Sequence, residues 1–171
     1  RDSSVFAYTL LSVHAIVNTD AEGRLILADA VTYAQEKGAT RLIDLATLTG
    51  ACVTALGTVR SGMIGNDQEW MNQFFDISTQ VHEKIWQLPA DREYEELLKS
   101  SIADMKNTGG RDGGAITAGL FIKQFVKPSV PWIHLDIAGT AFCEKKDETG
   151  YIGATGGGIK SILKLLQGGL Q

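Results

Sequence analysis

The stretch Asn-Thr-Asp-Ala-Glu-Gly-Arg at residues 18–24 decides how the rest of this sequence is interpreted. Mostly apolar residues precede it at 13–17 and follow it at 25–28, so a charged segment separates two apolar ones. This arrangement is typical of a loop between a strand and a helix. The loop carries two carboxylates and one guanidinium within five residues, which makes it a candidate functional site.

Asp20 and Glu22 suit the binding of a metal ion, because hard divalent cations prefer oxygen ligands and a pair of ions takes a bridging carboxylate. In an extended segment that ends in a turn, both side chains face the same side. The alternative is a helix N-terminus at which the acids are favourable, with Arg24 as their salt-bridge partner. Spacing alone favours the alternative, since Asp-x-Glu is common and two carboxylates do not fill the coordination of one ion.

Outward from this loop, patterns of strands and helices alternate along the chain. Helices are predicted at 24–37, 51–56, 68–83, 91–100, 115–126 and 159–166, and strands at 10–17, 42–46, 63–64 and 132–138. This alternation predicts an α/β fold, with a mixed, mostly parallel sheet covered by helices in a single domain. In such sheets, function lies in the loops at the carboxyl ends of the strands.

The composition is that of a globular protein, with 44% hydrophobic and 21% charged residues in a chain of 171. A net charge of -4 argues against nucleic acid and against an acidic membrane surface as partners. No apolar stretch is long enough to span a bilayer. Cys52 and Cys143 lie far apart in apolar or small-residue settings, which favours free thiols in a reducing compartment. We therefore expect a cytoplasmic protein.

Four segments carry a resemblance to a known family. They are Asn-Thr-Asp-Ala-Glu-Gly-Arg-Leu at 18–25, Asp-Leu-Ala-Thr-Leu-Thr-Gly-Ala at 44–51, the glycine-rich segment at 103–115, and His-Leu-Asp-Ile-Ala-Gly at 134–139. Together they resemble the leucine aminopeptidase (cytosol aminopeptidase) family, in the family's own order and over residues 18–166. We interpret residues 18–171 as part of that family's catalytic domain, and residues 1–17 as a lead-in that does not match the family and forms a strand.

The resemblance implies a two-metal exopeptidase that uses zinc or manganese and releases N-terminal residues, of the leucine type, from peptides. By position, it implies that Asp20 is a metal ligand and that Glu22 bridges both ions. It implies that Arg24 is a catalytic residue beside bound bicarbonate or the transition state. Two ions polarise the scissile carbonyl and generate hydroxide from a bridging water.

The resemblance also implies where the peptide binds. Thr47 and Leu48 offer backbone groups to it, and Gly50 and Ala138 line the pocket for its N-terminal side chain. Members of the family typically form hexamers, so a homo-oligomer is expected.

The lead-in is where the sequence departs from the family. There, a metal-binding lysine, an aspartate, a second, catalytic lysine and another metal-binding aspartate precede the signature. Here 17 residues precede Asn18, they contain no lysine, and Asp2 is their only acid. Asp104 resembles the aspartate block locally but aligns with the later glycine-rich segment. Because these lysines and aspartates are missing, we expect a chain that binds metals weakly or not at all and is inactive alone. It starts with Arg1 rather than Met, so we also expect it not to be a complete primary product.

Two other functions remain open. One is a non-catalytic fragment or pseudo-enzyme that serves as a structural subunit of an assembly, and the other is an anion- or nucleotide-binding α/β module. The second option rests on glycine-rich stretches at 109–114 and 156–158, but neither a P-loop nor a dinucleotide-binding pattern is present.

Overall fold

The computed structural model describes residues 5–8, 12–144 and 151–168, in which nine strands alternate with six α-helices. The strands are β1 Val5–Tyr8, β2 Val13–Ile16, β3 Leu42–Ala46, β4 Ser61–Gly65, β5 Ile85–Gln87, β6 Met105–Lys106, β7 Trp132–Asp136, β8 Phe142–Cys143 and β9 Gly153–Ala154. The helices are α1 Gly23–Glu36, α2 Gly50–Leu56, α3 Gln68–Gln80, α4 Arg92–Glu96, α5 Gly114–Lys123 and α6 Ile159–Gly168. The predicted α/β class is confirmed.

A four-stranded sheet in the order β3-β7-β4-β5 forms the centre of the chain. β3 runs parallel to β7, β4 runs antiparallel to β7, and β5 runs parallel to β4. Two of the three pairings are parallel, so the predicted mixed, mostly parallel sheet is confirmed. The parallel pairing brings the carboxyl ends of β3 and β7 side by side, with Ala46 opposite Asp136.

Helices cover both faces of this sheet. Successive strand residues point to opposite sides, and the apolar residues on each side are buried under helices. On one face, Ile64 and Trp132 pack with apolar residues of α1 and α5. On the other face, Met63 and Ile133 pack with apolar residues of α3 and α6. Helix α5 is buried along most of its length, which its nearly continuous apolar sequence requires.

β2 belongs to a separate three-stranded sheet, in the order β1-β2-β6. It is antiparallel to β1 and parallel to β6. β6 has two residues and β1 has four, so neither is long enough to be recognised by an alternation of apolar and polar residues in the sequence. β2 therefore lies in a different sheet from β3, β7, β4 and β5.

Several predicted boundaries move in the structure. Asp67 caps α3, since its Oδ1 accepts the Trp70 amide at 2.8 Å. The same helix ends at Gln80 rather than 83, because His82 adopts a left-handed conformation with φ 60°. Helix α4 ends at Glu96 rather than 100, and the segment between β7 and α6 contains the antiparallel β8–β9 ribbon, which the sequence did not predict. None of the helices in the described part of the chain has both the length and the apolarity needed to cross a membrane.

Candidate active site

The charged segment at 18–24 forms a short 3₁₀ turn that leads directly into α1. Asn18 is extended, and its Oδ1 accepts the Asp20 amide at 3.0 Å, which caps the turn Thr19–Ala21. Glu22 is the N-cap residue of α1, but its side chain makes no capping hydrogen bond. The two acids therefore lie at the start of a helix without being used to cap it.

An open cleft of about 430 Å³ lies between this turn and the loop after β3. It brings together six of the seven residues that the resemblance selects, namely Asp20, Glu22, Arg24, Thr47, Leu48 and Gly50. Asp20 and Glu22 are exposed, and neither carboxylate accepts a hydrogen bond or forms an ion pair within the described ranges. Both are therefore free to bind a ligand in the cleft.

Arg24 is nearly buried, with 6% of its surface exposed, and lines the same cleft. Its Nη1 donates to the Asn107 carbonyl oxygen at 2.9 Å. Burial lowers the pKa of the Arg24 guanidinium, and the negative charge of Asp136 opposes that shift. Arg24 forms no ion pair with Asp20 or Glu22 among the residues described, so the salt-bridge alternative is wrong.

The loop after β3 is held by one buried carboxylate, Asp136, at the end of β7. Its Oδ1 accepts the amides of Leu48 and Ala138, each at 3.1 Å, and its Oδ2 accepts the Thr49 hydroxyl at 2.7 Å. The Leu48 amide is thus already engaged, and the backbone group that Leu48 can offer a peptide is its carbonyl oxygen. In the described structure Ala138 lies outside the cleft lining, although it shares an acceptor atom with Leu48.

Asn107 and Asp136 are the two site residues to which the sequence assigned no role. Both belong to segments that carry the family resemblance, but neither presents its side chain to the cleft. The sequence does contain a signal for Asp136, because a carboxylate at the end of an apolar strand needs hydrogen-bond donors. Asn107 had a weaker one, as a polar residue before a glycine-rich stretch.

The donor atoms of the cleft fit a hard divalent cation in kind but not in number. Carboxylate oxygens suit manganese and zinc. Within 12–144 and 151–168, however, no cluster of three or more His, Cys, Asp or Glu side chains is arranged to hold a metal. Asp20 and Glu22 therefore supply part of a ligand set, and further ligands are needed to complete it.

A cleft beside the carboxyl end of β3, in a mixed sheet covered by helices on both faces, defines an α/β protein with its site at the sheet edge. The family model described as cytosol aminopeptidase family, catalytic domain, matches residues 5–163. The chain therefore belongs to the cytosol aminopeptidase family, as the resemblance indicated. The match also includes residues 5–17, which are most of the lead-in.

Individual relatives agree with this assignment. Probable cytosol aminopeptidases of Alkaliphilus metalliredigens and Koribacter versatilis are each 54% identical to this chain over 152 residues, which is 88% and 89% of the chain. A mutant of tomato leucine aminopeptidase superposes with a TM-score of 0.83, at 43% identity, over 90% of this chain and 29% of that one. The bottromycin maturation enzyme BotP in complex with Mn superposes with a TM-score of 0.86, at 33% identity, over 92% of this chain and 35% of that one. This chain spans about 30% of the length of the two curated relatives.

Proposed function

We propose that this chain supplies the carboxylate–arginine part of a two-metal aminopeptidase site that releases N-terminal residues, of the leucine type, from peptides. The observation that carries the proposal is the cleft in which Asp20, Glu22 and Arg24 face the loop at 47–50. The family supports the activity, and the manganese complex of BotP supports a divalent cation in the related protein.

Asp20 would bind one ion, and Glu22 would bridge it to a second one, either zinc or manganese. When bound, such a pair polarises a carbonyl and lowers the pKa of a shared water molecule. The availability of both carboxylates supports this role, because they lose no partner when a cation binds. The remaining ligands would come from residues other than the described acids of this cleft.

Arg24 would stabilise negative charge beside the scissile bond. Its Nη1 is held by the Asn107 carbonyl, while Nε and Nη2 donate no hydrogen bond within the described structure. Those donors would bind bicarbonate or the oxygen that becomes negative in the transition state. Burial strengthens this interaction, because the effective dielectric constant around Arg24 is lower than that of water.

The peptide would lie along the loop after β3. Thr47 and the Leu48 carbonyl would hold its backbone, and Gly50 would leave space for the N-terminal side chain. Ala138 would act indirectly, because its amide donates to the same Asp136 Oδ1 that accepts the Leu48 amide. On the resemblance alone, the proposal extends to a cytoplasmic homo-oligomer, a hexamer.

Metal titration by calorimetry tests the proposal, and the chain offers a matched control. Asp91-Arg92-Glu93 is a second exposed Asp-x-Glu sequence at the start of a helix, α4. We expect any Mn²⁺ or Zn²⁺ binding to weaken at least tenfold in Asp20→Asn or Glu22→Gln and to stay unchanged in Asp91→Asn or Glu93→Gln.

Three results would count against the proposal. Binding that survives both cleft substitutions removes the metal assignment, and so does hydrolysis of a leucine amide that persists in the double variant. Absence of binding, with Asp20→Ala and Glu22→Ala leaving stability unchanged or improved, favours a non-catalytic structural subunit.

A further inference from the structure

Asn107 is completely buried. All of its polar groups form hydrogen bonds with residues 15–24, the segment that carries Asp20, Glu22 and Arg24. Its Oδ1 accepts the amides of Val17 at 3.0 Å and Asn18 at 3.3 Å. Its Nδ2 donates to the carbonyl oxygens of Asn18 at 2.6 Å and Ala21 at 3.5 Å. Because the acceptor faces two amides and the donor faces two carbonyls, the surroundings fix the orientation of the side-chain amide.

The backbone of Asn107 adds two further bonds to the same segment. Its amide donates to the Ala15 carbonyl at 3.1 Å, next to the short pairing of β2 with β6. Its carbonyl accepts from Arg24 Nη1 at 2.9 Å. One residue therefore contacts the strand before the 3₁₀ turn, the turn itself and the guanidinium that follows it.

From these contacts we infer that Asn107 is a positioning residue, which sets the geometry of the Asp20–Glu22 carboxylate pair and of Arg24 before any ligand binds. The inference rests on the proposed function, because metal binding is what would require a fixed geometry of these side chains. A 3₁₀ turn of three residues has few internal hydrogen bonds, so outside contacts must determine its shape. Asn107 supplies these contacts from outside the cleft lining, through Asn18, whose side-chain oxygen in turn accepts the Asp20 amide.

A purely structural role is the competing explanation, and Asn66 provides the matched control for it. Asn66 also bridges backbone groups, since its Oδ1 accepts the Trp132 amide at 2.7 Å and its Nδ2 donates to the Val130 carbonyl at 2.9 Å. It lies at the amino end of β7, whereas the cleft lies beside the carboxyl end. Loss of Asn66 should therefore lower stability without changing the carboxylate pair.

The experiment compares Asn107→Ala with Asn66→Ala in two measurements. The first is a Mn²⁺ titration followed by paramagnetic broadening of backbone amide signals, which detects weak binding. Residues that orient metal ligands typically change metal affinity by about 10–100-fold. We expect a loss of that size in Asn107→Ala and a change below about twofold in Asn66→Ala, with both variants folded. Equal affinity in Asn107→Ala and the unmodified protein would overturn the inference.

The second measurement is amide hydrogen exchange without metal, which separates this inference from the proposed function. We expect exchange at Val17, Asn18 and Asp20 to accelerate at least about tenfold in Asn107→Ala, and not in Asn66→Ala. If the unmodified protein takes up no Mn²⁺, the proposed metal role fails and exchange alone decides on positioning. Unchanged exchange at these three amides would then overturn it. Where Asn107→Ala does not fold, Asn107→Ser, which retains a polar hydroxyl, takes its place.

Discussion

The buried residue Asp136 fixes the backbone of the loop that lines the cleft. Its carboxylate is 1% exposed and has no ion-pair partner within the described chain, yet three hydrogen bonds from the loops after β3 and β7 satisfy it. These bonds fix the backbone beside the cleft and take up the Leu48 amide. Burial raises the pKa of the Cys52 thiol to about 11, and the negative charge of Asp136 adds to this shift. Cys52 is therefore a packing residue rather than a nucleophile.

The first prediction concerns this carboxylate. Asp136→Ala should lower the free energy of unfolding by about 2–4 kcal/mol, because each buried donor left without an acceptor costs about 1–3 kcal/mol. Asp136→Asn retains one oxygen for the two amides, so its expected loss is about 1 kcal/mol. Urea denaturation followed by tryptophan fluorescence measures both. Equal losses in the two variants would show that the shared oxygen does not hold the loops.

For single residues, the sequence indicates those that line the cleft better than the buried residues that support them. Asp20, Glu22 and Arg24 were selected through a family resemblance, and the structure brings them together with Thr47, Leu48 and Gly50. The side-chain contacts of Asn107 join residues that lie 86 to 90 positions apart. Such contacts depend on the complete fold, and no local pattern of spacing encodes them.

Helix ends are the elements at which local backbone conformation matters most in this chain. Gly38 follows α1 with φ 89°, and its amide bonds back to the Gln35 carbonyl. His82 follows α3 with φ 60°, and its amide bonds back to the Thr79 carbonyl. The two helices end in a similar way, but one uses glycine and the other a residue that avoids this conformation.

The second prediction follows from that difference. His82→Gly should raise the free energy of unfolding by about 0.5–1 kcal/mol, because glycine adopts a positive φ without steric cost. Gly38→Ala should lower it by about 1 kcal/mol, and the cost is conformational since no atom lies within 4 Å of the added Cβ. His82→Ala is the control, as it removes the imidazole but keeps a Cβ. Thermal denaturation measures all three, and a His82→Ala variant as stable as His82→Gly would contradict the explanation.

Among elements, length decides what the sequence can predict. The longer helices α1, α3 and α5 were located within a few residues, and so were the five-residue strands β3 and β7. The two-residue strands β6, β8 and β9 were not, because they form only where a partner strand is already in place. This is also why the assignment of β2 to a separate sheet could not be foreseen.

At the scale of the whole molecule, His14 lies where the three-stranded sheet β1-β2-β6 packs against helix α5 and the residues that follow it. It is fully buried on β2, and its ring lies 5.3 Å from Phe121 and 5.4 Å from Phe125, centroid to centroid. Phe121 belongs to α5, which packs on the central sheet. Protonation of His14 therefore places a charge beside these two rings, although Ser12 Oγ lies 2.8 Å from its Nε2.

The third prediction is that acid weakens the whole fold through His14. Burial lowers the pKa of His14, and the nearby charges of Asp104 and Asp29 only partly offset this. The unfolded chain binds a proton near the ordinary histidine pKa of about 6.5, whereas the folded chain stays neutral to lower pH. The contribution of His14 to stability is therefore complete above that pH and is lost as the pH falls through the lowered folded value.

The measurement is urea denaturation between pH 5 and pH 8 for the unmodified protein, His14→Gln and His82→Gln. His14→Gln should have a shallower fall in the free energy of unfolding below about pH 6.5, the ordinary histidine pKa. The difference in slope cannot exceed about 1.4 kcal/mol per pH unit, the limit for one proton. His82 is exposed, so His82→Gln should retain the slope of the unmodified protein. If His14→Gln retains it as well, the acid sensitivity arises from other groups, and the buried imidazole does not control the contact between the two sheets.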